Sequence, residues 1–257
     1  MSPVRSDYQE GYSRINPAVL DKNGRRIKAE KIQTVLNTFY QHRRVSGMIL
    51  DLGCSGGVIL HHLTGKFDLK IGTDIDIAAL KIAKRDYCYQ NIEFICADGM
   101  NLPFKRDMFQ YIICNHVYEH VPDSKRLFRE IFRALIPGGV CYCAAGNALA
   151  IMEAHYHLPF LSWLPKRLAH RYIQVMNRGD SYYENHLTWW SFKKIISLFK
   201  IHDYTIQIIR HPELFVCSEI IKQGSWITRM PEWMWSFLFP FIPTWILILE
   251  KPNGEMK

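Results

Sequence analysis

Long apolar runs are missing from this chain of 257 residues. No stretch approaches the roughly 20 residues that a membrane-crossing helix needs, so no span is expected. The opening segment MSPVRSDYQEGYSR has no apolar stretch either, which argues against a secretory leader. Pairing motifs for cysteine are absent. The seven cysteines (Cys54, Cys88, Cys96, Cys114, Cys141, Cys143 and Cys217) are an odd number and include no C-x-x-C pair. Most fall in apolar, strand-like runs, where a thiol acts as a small hydrophobe. This argues against a disulfide framework, and a reducing, cytoplasmic setting is expected. There is no internal repeat and no low-complexity tract. Acidic surplus is missing too: 32 Lys and Arg outweigh 24 Asp and Glu, for a net charge of +8. That balance suits an anionic partner or simple solubility. No basic run is long enough to argue for nucleic acid, so a nucleic-acid partner is disfavoured.

What is present is an alternation of strand and helix patterns. Residues 1 to 26 read as a loose polar arm, and apolar residues from Ile27 to Tyr40 recur at helical spacing. Met48–Leu52 reads as a strand, followed by a glycine-rich turn at 53–57 and a helix from Val58 to Leu63. Leu69–Thr73 is a second strand, with Asp76 capping the next helix. Ile92–Ala97 and Tyr111–Asn115 follow as strands. A helix over Ser124–Leu135 is stopped by Pro137, Gly138 and Gly139, ahead of a fifth strand at Val140–Ala145. Beyond these, Trp189–Phe199 reads as a helix, Tyr204–Ile209 as a sixth strand and Thr244–Leu249 as the last. Such alternation is the pattern of a parallel sheet with helices on both faces. The domain plan is an arm and helix over 1–44 and an α/β domain over 45–257, with irregular insertions at about 147–187 and 211–243.

The strongest chemical signal is Asp51-Leu52-Gly53-Cys54-Ser55-Gly56-Gly57, directly after the first strand. Glycines between a strand and a helix let a ligand approach the main chain closely. Asp74 ends the second strand, 21 residues after Gly53. A carboxylate there can accept hydrogen bonds from both hydroxyls of a ribose. Together these residues predict a nucleoside-containing ligand at the carboxyl ends of the strands. Dinucleotide sites use G-x-G-x-x-G to seat a pyrophosphate, whereas this turn reads Gly53-x-x-Gly56-Gly57 with Asp51 just before it. An acidic residue there disfavours a pyrophosphate and suits a cationic ligand.

The segment Asp51–Gly57 resembles motif I of the class I S-adenosylmethionine-dependent methyltransferases. The resemblance continues through Gly72-Thr73-Asp74, through Ala97 to Phe104, through Phe109 to Asp123, and through Arg133 to Gly139. It is closest to the group often called methyltransferase domain 11. It implies an α/β, Rossmann-like, doubly wound sheet of seven strands, mostly parallel with an antiparallel last strand. It also implies S-adenosyl-L-methionine as the cofactor. On that resemblance Asp51, Gly53, Cys54, Ser55, Gly56 and Gly57 border the methionine part. Asp74 and Ile75 border the ribose, and Asp98, Gly99 and Met100 the adenine. Asn115 and His116 lie beside the methionine end and the acceptor. Ser55 departs from the family pattern, which usually has glycine there.

The family topology sets both insertions at the ligand-bearing edge, so 147–187 and 211–243 are expected to form the acceptor pocket and its lid. They are rich in Tyr, Trp and Phe, which suits an apolar or ring-containing acceptor, or a lid resting on a membrane interface. Lys166, Arg167, Arg171, Arg178 and Arg229 would complement a phosphate or an anionic lipid. A hydroxyl acceptor needs a general base. The candidates are His116, His120, His155, His157 and His186, with His116 and His155 preferred. His116 and His120 have metal-like spacing, but no third ligand is evident and no metal is expected. The function expected is methyl transfer to a small-molecule, lipid or glycan acceptor. The alternatives are a non-catalytic S-adenosylmethionine-binding module and an RNA methyltransferase.

Overall fold

The apolar runs pair as one sheet in a computed structural model that describes residues 11–15, 20–41, 45–87, 91–153 and 155–254. Cys88 and most of the expected N-terminal arm lie outside the described residues. The strands are β1 (Ser46–Leu52), β2 (Lys66–Asp74), β3 (Ile92–Cys96), β4 (Phe109–Asn115), β5 (Leu135–Gly146), β6 (Lys200–Asp203) and β7 (Thr244–Glu250). Their order is β3-β2-β1-β4-β5-β7-β6. Only β7 runs against its neighbours, pairing antiparallel with both β5 and β6. The strand order reverses between β1 and β4, and it is outside the carboxyl ends of strands at such a switch that ligands bind.

Both faces of the sheet are covered, which is why β4 and β5 are almost continuously apolar. One face buries Ala29, Ile32, Val35 and Leu36 of α2 (Lys22–Phe39), together with α3 (Val58–His62) and α4 (Ile77–Tyr87). The other buries Leu127, Phe128, Ile131 and Ala134 of α5 (Ser124–Ala134), and Phe192 of α7 (Trp189–Ile195). Asp123 starts α5 by accepting from the Arg126 N–H at 2.9 Å.

Three local readings of the sequence are corrected. The expected arm is in part helical: α1 spans Tyr12–Ile15, and α2 begins at Lys22 because Asp21 accepts from the Asn23 and Gly24 N–H groups. Tyr204–Ile209 is not a strand. Residues Thr205–Arg210 form α8, because the Asp203 carboxylate accepts from the Thr205 and Ile206 N–H groups at 2.8 and 3.4 Å. Thr205, Ile208 and Ile209 then share its buried face. The edge strand β6 lies just before it. Pro137-Gly138-Gly139 does not separate α5 from the strand either. β5 runs through it with a register shift against β4, and the Gly138 N–H and Gly139 carbonyl pair with Lys251 instead.

The stretch after β5 carries α6 (Lys166–Val175) over a small core of Leu158, Leu161, Ala169, Ile173 and Tyr182. The stretch after α8 carries α9 (Glu232–Leu238) over a second one, of Ile209, Met230, Trp235 and Ile242. Asn147 ties the two stretches by donating to the Pro240 and Ile242 carbonyls, each at 2.8 Å.

Candidate active site

A cavity of about 400 Å³ opens at the switch point between β1 and β4. Its floor is the turn after β1. Gly53 and Gly57 both have positive φ, at 66° and 75°, a conformation most residues avoid. Ser55 shares that handedness at φ 50°, which is why the family pattern favours glycine there. The turn is held by Asp74: its carboxylate accepts from the Ser55 N–H at 2.8 Å and from the Asp76 N–H at 2.9 Å. Asp76 in turn caps α4 through the Ala78 and Ala79 N–H groups and accepts from the Ser13 N–H at 2.7 Å.

Of the residues expected from the sequence, Gly53, Ser55, Asp74, Ile75, Gly99, Asn115, His116 and His155 line this one cavity. Asp51, Cys54, Gly56, Gly57, Asp98 and Met100 do not. Cys54 is fully buried, and its Sγ packs against Gly72. Gly56 and Gly57 lead into α3, and Asp98 accepts from the Met100 N–H at 2.8 Å to shape the turn after β3.

Asp51 is 1% exposed, and its Oδ2 has no partner among the described residues. Burial pushes its carboxyl up to about 7, against the pull of the Arg25 guanidinium and with a further push from Asp74. Asp74 is raised by burial too, while its two backbone N–H donors hold it down. Arg25, on the first turn of α2, lines the cavity with Tyr12, Ser13 and Lys28, and its Nε is likewise buried without a partner. The sequence reading missed these four, because Tyr12, Ser13 and Arg25 fall in a polar segment ahead of the expected helix and Lys28 on that helix's polar side, both of which look like solvent-facing chain. The one signal for them is Asp21, a good N-cap that moves the helix start back to include Arg25.

The cap side of the cavity is built of histidines. His116, with φ 56°, sets its Nδ1 3.0 Å from Glu119 Oε1. Glu119 is fully buried. Burial would raise its carboxyl, but the His116 hydrogen bond and the charges of His116, His120 and His186 hold it at about 2. Burial lowers His120 to about 4, so its ring is neutral at physiological pH. His120 touches both Tyr12 and His155. His155 Nδ1 lies 2.8 Å from Glu153 Oε1, and His186 Nε2 lies 3.4 Å from the same oxygen. The sequence reading formed no such group, because Glu153 and His155 are separated from His186 by a helix.

The expected lid is corrected in part. His155 and His157 of the first insertion line the cavity; among the described residues none of 211–243 does. That second stretch instead covers α8 through its own small core. Lys166 is not free for an anionic ligand, since its Nζ donates to the Glu184 carbonyl and sits over the Tyr182 ring.

A doubly wound sheet with a glycine turn, an acidic residue ending β2 and no dinucleotide spacing defines a class of nucleoside-binding α/β protein. Comparison with known proteins narrows the class. Residues 50–143 match the family described as Methyltransferase domain. A demethylmenaquinone methyltransferase of Lactococcus lactis is 33% identical over 125 residues, covering 46% of this chain and 50% of that one. A ubiquinone biosynthesis O-methyltransferase of Coxiella burnetii is 30% identical over 151 residues, covering 56% and 60%. The chain thus spans about half of the curated relatives it matches. A solved structure of a Methanococcus maripaludis protein, assigned to the S-adenosylmethionine-dependent methyltransferases, aligns over 100% of both chains with a TM-score of 0.56 at 15% identity. Residues 50–143 therefore carry a methyltransferase domain, and the sheet around them has the fold of a solved class I S-adenosylmethionine-dependent methyltransferase.

Proposed function

We propose that the protein is an S-adenosylmethionine-dependent methyltransferase acting on a small, apolar or ring-containing acceptor. One observation carries this reading: Arg25 Nε, on the cavity wall, and Asp51 Oδ2, buried in β1 just ahead of the glycine turn that floors the cavity, have no partner among the described residues. Buried polar groups normally have partners. An amino-acid end, with one ammonium and one carboxylate, satisfies both, whereas a pyrophosphate would meet Asp51 as a like charge. In this reading Asp51 faces the ammonium, Arg25 the carboxylate and Asp74 the ribose hydroxyls. Asp98 accepts from the adenine amino group, and the main chain at Gly99 and Met100 borders the ring.

The sulfonium supplies an already activated methyl group. The chain's own task is alignment, exclusion of water and proton removal. His116 lines the cavity with its Nδ1 on Glu119, so its other nitrogen is the one available to take a proton from an acceptor hydroxyl. Residues 45–257 then form the methyltransferase domain, and 147–187 cap its reaction space. The named activities of the Lactococcus and Coxiella relatives both concern quinones, which supports an acceptor of that chemistry. Tritiated-methyl transfer into a cell extract tests the reading. Label is expected in the lipid and quinone fraction. Label confined to RNA favours the RNA alternative, and label nowhere favours a binding module without catalysis.

A surface feature supports peripheral contact with a membrane. Every large exposed hydrophobic residue among the described ones, Ile77 excepted, falls between Ile151 and Phe241. They include Phe160, Trp163, Trp226, Trp233 and Phe237. No helix among the described residues is long and apolar enough to cross a bilayer, so contact would be interfacial. Co-sedimentation with anionic vesicles, weakened by Trp233→Ser with Phe237→Ser, is the expected outcome; equal sedimentation of both proteins would contradict it.

A further inference from the structure

Three side chains that the methyl-transfer reading leaves unused meet inside the cap. Glu153 and His155 sit on the turn after β5. His186 arrives from the far end of the same insertion, next to the bridge between Asn147 and Leu187. Glu153 Oε1 lies 2.8 Å from His155 Nδ1 and 3.4 Å from His186 Nε2. The three ligand atoms all lie within 4.8 Å of one another. A tetrahedral ion with bonds of about 2.0–2.1 Å sets neighbouring ligand atoms roughly 3.3 Å apart. Small side-chain adjustments would therefore enclose one.

We propose that Glu153, His155 and His186 bind a divalent first-row transition ion, Zn2+ being the probe that fits the donors best. Two imidazoles and one carboxylate are a borderline donor set that suits zinc or ferrous iron and disfavours calcium and magnesium. The site is built rather than incidental. The Glu153 side chain is fully buried, and its other oxygen, Oε2, accepts from the His155 and Tyr156 N–H groups at 2.8 and 2.7 Å. That fixes the carboxylate with Oε1 turned to the two rings.

His186 is 7% exposed, and its second nitrogen, Nδ1, is buried with no partner among the described residues. A metal-bound imidazole commonly gives its other N–H to a carboxylate. Glu119, whose Oε2 is unpartnered among the described residues and whose charge couples to His186, is the candidate for that. A Cβ on Gly146 would meet His186 Nδ1 at 2.8 Å and Glu119 Oε1 at 3.5 Å, so both groups crowd one glycine. Glu184 adds a third buried carboxyl with an unpartnered oxygen. Three acidic groups beside a cavity wall are what a divalent ion would offset.

The ion's chemical role rests on the methyl-transfer reading. His155 lines the cavity, so an ion held by three protein groups has its fourth position for an acceptor oxygen. A hydroxyl bound there loses its proton to His116. Its lone pair forms the bond to the methyl carbon while the carbon–sulfur pair stays on sulfur. Binding of the ion itself does not depend on that step.

The test uses full-length protein stripped with a chelator and titrated with Zn2+ alone, then separately with S-adenosylmethionine. One Zn2+ per chain is expected. Loss of an outer partner alone costs roughly 10–100-fold in metal affinity, so Glu153→Gln and His186→Gln should each weaken it by at least about 100-fold. His62→Gln, at the half-buried pair His61 and His62, should change nothing. Retained S-adenosylmethionine binding identifies the variants that fold, and the comparison is read on those. No stoichiometric zinc, or equal affinity in wild type and folded variants, overturns the site. Zinc binding without S-adenosylmethionine binding in the wild type would instead overturn the cofactor assignment and leave the metal site standing.

Discussion

Asp51 is the residue on which the electrostatics of the pocket turn. Its carboxyl, raised by burial to about 7, is half-protonated near neutral pH. The folded state thus holds this proton more tightly than the unfolded chain does. On linkage, this group costs stability progressively as pH rises from about 4 to about 7, and no further above that. Ligand binding has the opposite sign. A bound ammonium favours the ionised form, so affinity for S-adenosylmethionine should rise with pH up to about 7 and level off, with proton release below it. Calorimetry in buffers of differing ionisation enthalpy measures this, and Asp51→Asn should remove the slope; a slope kept in that variant would reassign it. Asp74 acts differently, through hydrogen bonds. Asp74→Ala should weaken cofactor binding by about 1.5–3 kcal/mol, from lost bonds to a charged group. Asp74→Asn, whose one oxygen can still accept from either the Ser55 or the Asp76 N–H but not from both, should lose less. Unaltered affinity in the alanine variant would refute the ribose assignment.

At the scale of elements, the turn between β1 and α3 is the most constrained piece of chain. Gly57 has a positive φ, and a Cβ there would meet Phe94 at 2.5 Å. Gly57→Ala combines a left-handed penalty of about 1–2 kcal/mol with an overpacking cost of about 1–3 kcal/mol. A loss of unfolding free energy of that size is expected from the fall in the denaturation midpoint at unchanged m, and an unshifted midpoint would mean that the turn relaxes freely. This turn was legible because glycine spacing, Asp51 and Asp74 encode it locally. β1 to β5 were legible for a related reason: strands buried on both faces leave unbroken apolar runs. The misread elements are those where a side chain decides against propensity. Tyr204–Ile209 has the β-branched look of a strand, and the Asp203 carboxylate turns it into α8. The segment before Lys28 looks like a solvated arm, and Asp21 makes it helix. His116 and His155 could be nominated from the sequence. Their carboxylate partners, Glu119 and Glu153, lie only three and two residues away, but the meeting of Glu153 with His186, 33 residues on, could not be read. Tertiary contacts across an insertion leave no periodic trace in the chain.

On the scale of the whole molecule, the sheet brings the ends of β1, β2 and β4 to one edge, and the chain after β5 folds back over that edge. Tyr118 pins the arrangement: its hydroxyl donates to the Gly146 carbonyl and accepts from the Leu187 N–H at 3.1 Å. One cavity therefore has a glycine-turn floor and a histidine-rich roof, the arrangement on which the proposed methyl transfer rests. The second insertion spreads its aromatic residues over the outside and leaves the reaction space to the first. The central claim is that this floor receives a phosphate-free, cationic adenosyl donor. Calorimetric titration of the protein with S-adenosylmethionine, and in parallel with NAD, tests it most directly. The account predicts one S-adenosylmethionine per chain, displaced by S-adenosylhomocysteine, and no heat from NAD. Saturable binding of NAD with none of S-adenosylmethionine would contradict it.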